Sequence, residues 1–308
     1  MMRRIRRKRP TTYFVNSMSD LFHESVPDEW IDKVFAVMAL TPQHTYQCLT
    51  KRSARMRRYI DDALGRVIAG TNGDWPGWPL PNVWLGVSTE RQKEADERIP
   101  DLLATPAAVR FISAEPLLGP IDLERVGTLD GIRAAMPEVI EREERGKAKT
   151  GAGSICGAQI DAVGSSGSSI TFFQTPDHMG GFTAASPRQW PRLDWVIVGG
   201  ESGPGARPMH PDWARSLRDQ CAAAGVPFFF KQWGEWEPAT EDRGHADGSM
   251  DRSGARWVHL DGLMNGPSWH RADHRSDTSP FAMMRVGKKA AGRLLDGVEH
   301  NAMPEAVR

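Results

Sequence analysis

Cysteine is scarce in this chain, with Cys48, Cys156 and Cys221 the only three among 308 residues. An odd number of widely spaced cysteines fits neither a disulfide framework nor a CxxC metal knuckle. A reducing cytoplasm is the expected home of such a chain. Long apolar runs are missing too: no window approaches the roughly 18 consecutive apolar residues that a membrane-spanning helix needs. The start, MMRRIRRKRPTTYF, is basic but has no apolar stretch behind it, so no secretory signal is expected in it. Net charge is also absent, with 39 basic residues against 39 acidic ones. The balance is uneven along the chain, because residues 1–58 hold twelve Lys/Arg and five Asp/Glu. A basic end can mark a polyanionic partner, or simply a solvated arm followed by a charged helix face.

What is present is ordinary for a globular enzyme: 40% hydrophobic and 25% charged residues are enough to fill a core. The length suits one large domain or two small ones. An α/β barrel of roughly 250 residues would use most of it and leave room for an insertion.

A unit recurs along the chain: a short apolar run, a polar cluster, then a helical pattern. The apolar runs are 13–15, 45–49, 83–87, 109–112, 195–198 and 226–230. Polar clusters follow them at 16–20, 50–52, 88–90, 113–116, 199–202 and 231–234. After the first, Trp30, Ile31, Val34, Phe35 and Met38 recur at helical spacing. Helices are also expected to about Leu64, through Leu103, and over 211–224. Continuous apolar runs suit strands covered on both faces, as in parallel sheets. Strands alternating with helices imply right-handed crossovers. The expected fold class is therefore α/β, a full or partial (β/α) barrel of parallel strands.

Two stretches interrupt the pattern. Residues 125–192 begin with a charged helical piece (138–145) and continue through the Gly/Ser-rich GAGSICGAQ and GSSGSS, which read as loop. The expected organisation is a basic arm at 1–12, one barrel-like domain from 13–124 and 193–308, and an insertion at 125–192. Residues 237–280 read as polar and Gly-rich with one strand-like piece at 256–260. A helical pattern returns over 282–295.

Parallel α/β architectures bind ligands at the carboxyl ends of their strands. The polar residues concentrated there are Asn16, Ser17, Asp20, Thr50, Lys51, Arg52, Ser88, Glu90, Ser113, Glu115, Glu201, Ser202, Lys231 and Gln232. Strand ends need some polar residues for structure alone, so the weight lies in six such ends together. Gly199 and Gly200 after a buried strand permit a tight turn or the close approach of a ligand. Glu201 and Ser202 beside them can contact polar groups of a cofactor. Glu115 precedes Pro116, which favours an extended conformation and points the carboxylate off the strand end. Lys51 and Lys231 offer positive charge to a substrate carboxylate or phosphate, and with Glu115 they form the expected catalytic set. His270 and His274 share a four-residue spacing but have no third ligand, so no metal site is expected.

The segments FVNSMSDLFHESVPDEWI, QCLTKR, NVWLGVSTE, RFISAEPLLGPIDL, WVIVGGESGPGARPMHPDWARSLRDQC, PFFFKQWGEW and VGKKAAGRLLDG, in this order, resemble a phage and prophage family of unknown function, called gp-thirty-seven/gp-sixty-eight. The resemblance runs from about Tyr13 to Leu295, broken by the 125–192 insertion. It implies a radical-S-adenosylmethionine-like incomplete barrel whose N-terminal three-cysteine loop, ending in GCxxCY, would hold a [4Fe–4S] cluster that binds S-adenosylmethionine. This chain departs from the pattern there. Its first residues lie just upstream of FVNSMSD, and its three cysteines are separated by 108 and 65 residues. The expectation is a chain truncated at its N-terminus, with an exposed sheet edge and no cluster of its own. A separate polypeptide supplying the missing segment is one expected partner, and the substrate is unknown.

Two rivals come from other classes. A carbohydrate-active hydrolase would use Glu115 and Glu201 as its carboxylate pair, a reading that fails where these glutamates are pinned by Lys or Arg. A non-enzymatic nucleic-acid binder would use the basic N-terminal region and the helix at 51–58.

Overall fold

A computed structural model gives the architecture and describes residues 9–70, 77–150, 155–164, 169–174, 182–184, 191–239, 255–262, 264–265 and 281–305. Six strands form the central sheet: β1 (Thr12–Val15), β2 (Thr45–Thr50), β3 (Val83–Ser88), β4 (Val109–Ala114), β8 (Trp195–Gly199) and β9 (Phe228–Gln232). They lie in the order β1-β2-β3-β4-β8-β9, and every neighbouring pair is parallel. Each strand thus lies beside the strand that precedes it in the sheet, and the sheet curls into a half-barrel.

The two faces follow from the alternation of side chains along a strand. Val83, Leu85, Val87, Ile112, Val196, Val198, Phe228 and Phe230 belong to the large core on one face. Helices cover that face: α1 (Asp28–Ala39), α2 (Ser53–Gly70), α3 (Gln92–Ala104) and α6 (Pro211–Ala224). They contribute Ile31, Phe35, Met56, Ile60, Ile99, Leu102, Trp213 and Leu217 to the same core. The residues between, Trp84, Val109, Phe111, Trp195 and Ile197, form a second buried cluster on the other face. Gly86 is required there: a Cβ at that position would sit 2.5 Å from two carbons of the Phe111 ring. Burial on both faces explains why these strands read as continuous apolar runs.

Helix α6 shows its signals in sequence. His210 caps its N-terminus by accepting the Asp212 amide at 3.1 Å, Pro211 takes the first turn, and Gly225 ends it at φ 65°.

The 125–192 stretch departs from the loop expected for much of it. After α4 (Leu129–Ala135) and α5 (Pro137–Thr150) come β5 (Ile155–Asp161), β6 (Ser169–Gln174) and β7 (Phe182–Ala184), an antiparallel sheet. Ala158, Ile160 and Ile170 enter the main core, and Ile160 exchanges backbone bonds with Val126. Most of the GSSGSS run lies outside the described residues.

The helical pattern expected over 282–295 is corrected to strand β13 (Phe281–Arg285) and a single-turn helix, α7 (Lys288–Ala291). The glycines at 287 and 292 adopt positive φ on either side of that turn. Strand β13 is held between β10 (Trp236–Pro238) and β11 (Ala255–Val258), with β12 (Met264–Asn265) beyond. The C-terminal segment then runs along β9, where His300 accepts the Phe230 amide at 3.0 Å and Ala302 accepts the Trp195 indole N–H at 2.9 Å. At the opposite edge β1 has β2 as its neighbour in the sheet. Among the described residues, no helix is long and apolar enough to cross a membrane.

Candidate functional site

The strand register places the charged residues on one rim. Leu49, Gly86, Phe111 and Trp195 form one row across the cluster face. Ser88, Ser113, Ile197 and Phe229 form the next row toward the strand ends. Two residues further on, the same alternation brings Glu90, Glu115 and Gly199 to the mouth, and Lys51 joins from β2. Strand β9 adds a local device: Val198 pairs with Phe230 but Gly199 with Gln232, so Lys231 is the extra residue of a bulge. A bulge re-aims a side chain, and Lys231 reaches the Glu115 carboxylate at 2.8 Å.

Three connected groups of ion pairs line this mouth. Glu90, almost fully buried, receives Lys51 at 2.5 Å and Arg98 at 2.8 Å. Burial alone would raise its pKa, but the Lys51 hydrogen bond and the Arg98 charge together hold it below the usual carboxylate range. Arg91 is held by Glu94 through bonds of 2.7 and 3.2 Å, and both it and Arg207 lie within electrostatic reach of Glu90. Glu115 receives Lys231 and, at 3.1 Å, the amide of Gln232, which also donates to Ser202 Oγ at 3.1 Å. Glu201 is gripped by Arg207 through two side-chain bonds of 2.8 Å and a backbone amide bond of 2.8 Å. That grip lowers the Glu201 pKa.

Asp20 positions the first of these groups. Its carboxylate accepts the amides of Phe22 and Lys51, the Thr50 hydroxyl and the Arg52 guanidinium. Burial pushes its pKa up, yet these four donors outweigh it and the pKa is lowered. The turn after β1 is thereby fixed to the end of β2, with Lys51 set at the rim.

All seven expected site residues, Lys51, Glu115, Gly199, Gly200, Glu201, Ser202 and Lys231, lie at this mouth. The two glycines serve the chain's own packing. A Cβ on Gly200 would sit 1.9 Å from the Trp233 carbonyl oxygen, and one on Gly199 would sit 3.2 Å from the Glu115 carboxyl carbon. Sequence reasoning passed over Arg91, Arg98 and Arg207. Arg91, three residues before Glu94, and Arg207, six after Glu201, stood close enough in sequence for local pairings to be suspected.

The two described cysteine thiols, Cys48 and Cys221, do not come together, and the Cys156 side chain lies outside the described residues. Cys48 lies buried in β2 on the helix-covered side and Cys221 lies buried in α6, each thiol pushed up to about 12 by burial. Among the described residues, no group of three His, Cys, Asp or Glu could hold a metal ion. A [4Fe–4S] cluster does not fit these two buried thiols, which sit on separate elements. His270 and His274 lie outside the described residues.

Three arginines of the basic segment 51–58 are paired within the chain. Arg52 pairs with Asp20 and Glu24, Arg55 with Asp28, and Arg57 with Asp101 and two backbone carbonyls. Residues 1–8 lie outside the described residues.

Fold and site together define a class: an α/β protein with a parallel half-barrel whose strand ends carry a ring of ion pairs. The chain belongs to the family described as protein of unknown function (DUF5131), whose model matches residues 1–304. Neither a curated protein nor a solved structure matches it.

Proposed function

We propose that this chain is a small-molecule-binding half-barrel that works without an iron–sulfur cluster and seats a charged metabolite at its C-terminal mouth. The observation that carries this reading is the set of cations at one mouth: Lys51 and Arg98 on Glu90, Arg91 on Glu94, Arg207 on Glu201 and Lys231 on Glu115. Five cations stand against four carboxylates at this strand-end rim, an excess of one positive charge. The mouth stands where parallel α/β folds bind ligands. A curled parallel sheet also suits the radical-S-adenosylmethionine-like resemblance, but Cys48 and Cys221 give the reading no cluster. The Gly199–Ser202 turn is filled by Trp233, Glu115 and Arg207, which leaves it little room for a cofactor's methionine end.

The hydrolase reading has less support. Both glutamates are pinned by cations, and the lowered Glu201 pKa is the opposite of what a general acid requires. The nucleic-acid reading loses the helix at 51–58, whose arginines 52, 55 and 57 are occupied.

Thermal melting with a set of charged metabolites tests the proposal: nucleotides, sugar phosphates, amino acids and S-adenosylmethionine. A ligand at a hundred times its Kd stabilises by about 2.7 kcal/mol. At least one member of the set should raise Tm in the wild type and fail to do so in the Lys51→Gln/Lys231→Gln variant. No shift with any of them, or shifts that survive the double substitution, would contradict the reading.

A further inference from the structure

The exposure of the paired side chains around Glu90 is one-sided. Lys51 is 54% exposed above Glu90 at 9%, Arg207 is 49% above Glu201 at 24%, and Arg91 is 55% above Glu94 at 11%. In each pair the carboxylate is the buried base and the cation faces solvent. Buried carboxylates hold the cations in place, while the surface a ligand meets is positive. Arg91 on Glu94 and Arg207 on Glu201 stand close enough for their like charges to repel, and an anion between them would relieve that repulsion. Guanidinium forks match the oxygens of a phosphate two at a time, and Lys51 adds a point charge beside them.

We propose that Lys51, Arg91 and Arg207 form a recognition site for the phosphate group of a small phosphorylated ligand, which takes over donors that Glu90, Glu94 and Glu201 hold in its absence. This rests on the mouth being a ligand site, and it names the ligand class. Arg98, the least exposed cation of the group, stays on Glu90 and on the Ser88 carbonyl as the anchor beneath.

The experiment is calorimetric titration of pyrophosphate into the full chain and into the variants Arg91→Gln, Arg207→Gln and Glu201→Gln, each first checked for a native melt. Loss of one charge-assisted contact should weaken pyrophosphate by roughly ten- to a hundredfold in Arg91→Gln and Arg207→Gln. Glu201→Gln releases Arg207 from its competitor and should tighten binding several-fold. Opposite signs for the two members of one ion pair are the signature of exchange, since a merely structural pair would weaken binding from both sides. Salt should weaken binding throughout. Adenosine triphosphate, glucose 6-phosphate and inorganic phosphate, titrated in parallel, separate nucleotide from sugar-phosphate sources, and binding of any of them supports the class. No binding of any phosphate, equal binding of citrate, or weakening by Glu201→Gln would overturn it. If S-adenosylmethionine or an amino acid binds at the mouth while phosphates do not, this inference fails and the ligand-mouth reading stands. If nothing binds, both fail.

Discussion

Replacing Gly200 by alanine probes the junction on which the mouth is built. The added methyl would lie 1.9 Å from the Trp233 carbonyl oxygen and 2.6 Å from its carbon, both backbone atoms. A side chain could rotate away, but this backbone is tied down: the Gly200 amide donates to Gln232 O at 2.8 Å and the Glu235 amide to Glu201 O at 2.9 Å. Relief therefore means parting the ends of β8 and β9. Overpacking costs about 1–3 kcal/mol, and two weakened backbone hydrogen bonds add roughly 1 kcal/mol each. The expected loss is roughly 3–5 kcal/mol, a large share of the 5–15 kcal/mol that typically stabilises a domain. At about 2–4 °C per kcal/mol, Tm should fall by roughly 10 °C. Gly205→Ala is the control, because a Cβ there meets nothing within 4 Å and its effect should stay within about 0.5 kcal/mol. Thermal melts of both variants against wild type decide it. Matching melts for the two alanine variants would refute the close packing of the Gly199–Gly200 turn on Trp233.

Two further outcomes follow from the charges and thiols. Glu90 has a folded pKa below its unfolded value, so its contribution is complete above about pH 4.3 and is lost as pH falls through the folded pKa. Urea midpoints between pH 7 and 3 should therefore fall more steeply for wild type than for Glu90→Gln, and parallel curves would speak against the Lys51–Glu90–Arg98 group. Cys48 and Cys221, with thiols pushed up to about 12 by burial, should resist iodoacetamide at pH 8 and react only in denaturant. Peptide mapping of the label reads this directly, and rapid alkylation of either in the folded chain would contradict their burial.

The central sheet was legible because its strands are unusual in composition. The runs at 45–49, 83–87, 109–112 and 195–198 match β2, β3, β4 and β8 within two residues, since each strand is covered on both faces. Alternation was enough to bring Lys51, Glu90 and Glu115 to one rim. The partners of those residues were not legible. Arg98 reaches Glu90 from the second turn of α3, and Lys231 reaches Glu115 only because a bulge turns it, and neither fact leaves a local mark in sequence. The glycines at 199 and 200 were visible as a pair, but what they avoid, Trp233 and Glu115, is distant along the chain. Strands β5 and β6 were hidden because flanking Gly/Ser runs outweighed their short apolar stretches, and the residues of β13 read as helix because apolar side chains at 282–284 suit either period.

The most direct test of the central claim is a melt of the chain in air with a metal chelator, with and without the charged metabolites. The account predicts that at least one of them raises Tm under these conditions, with no cluster present. Stabilisation that emerges only after anaerobic reconstitution with iron and sulfide would contradict it.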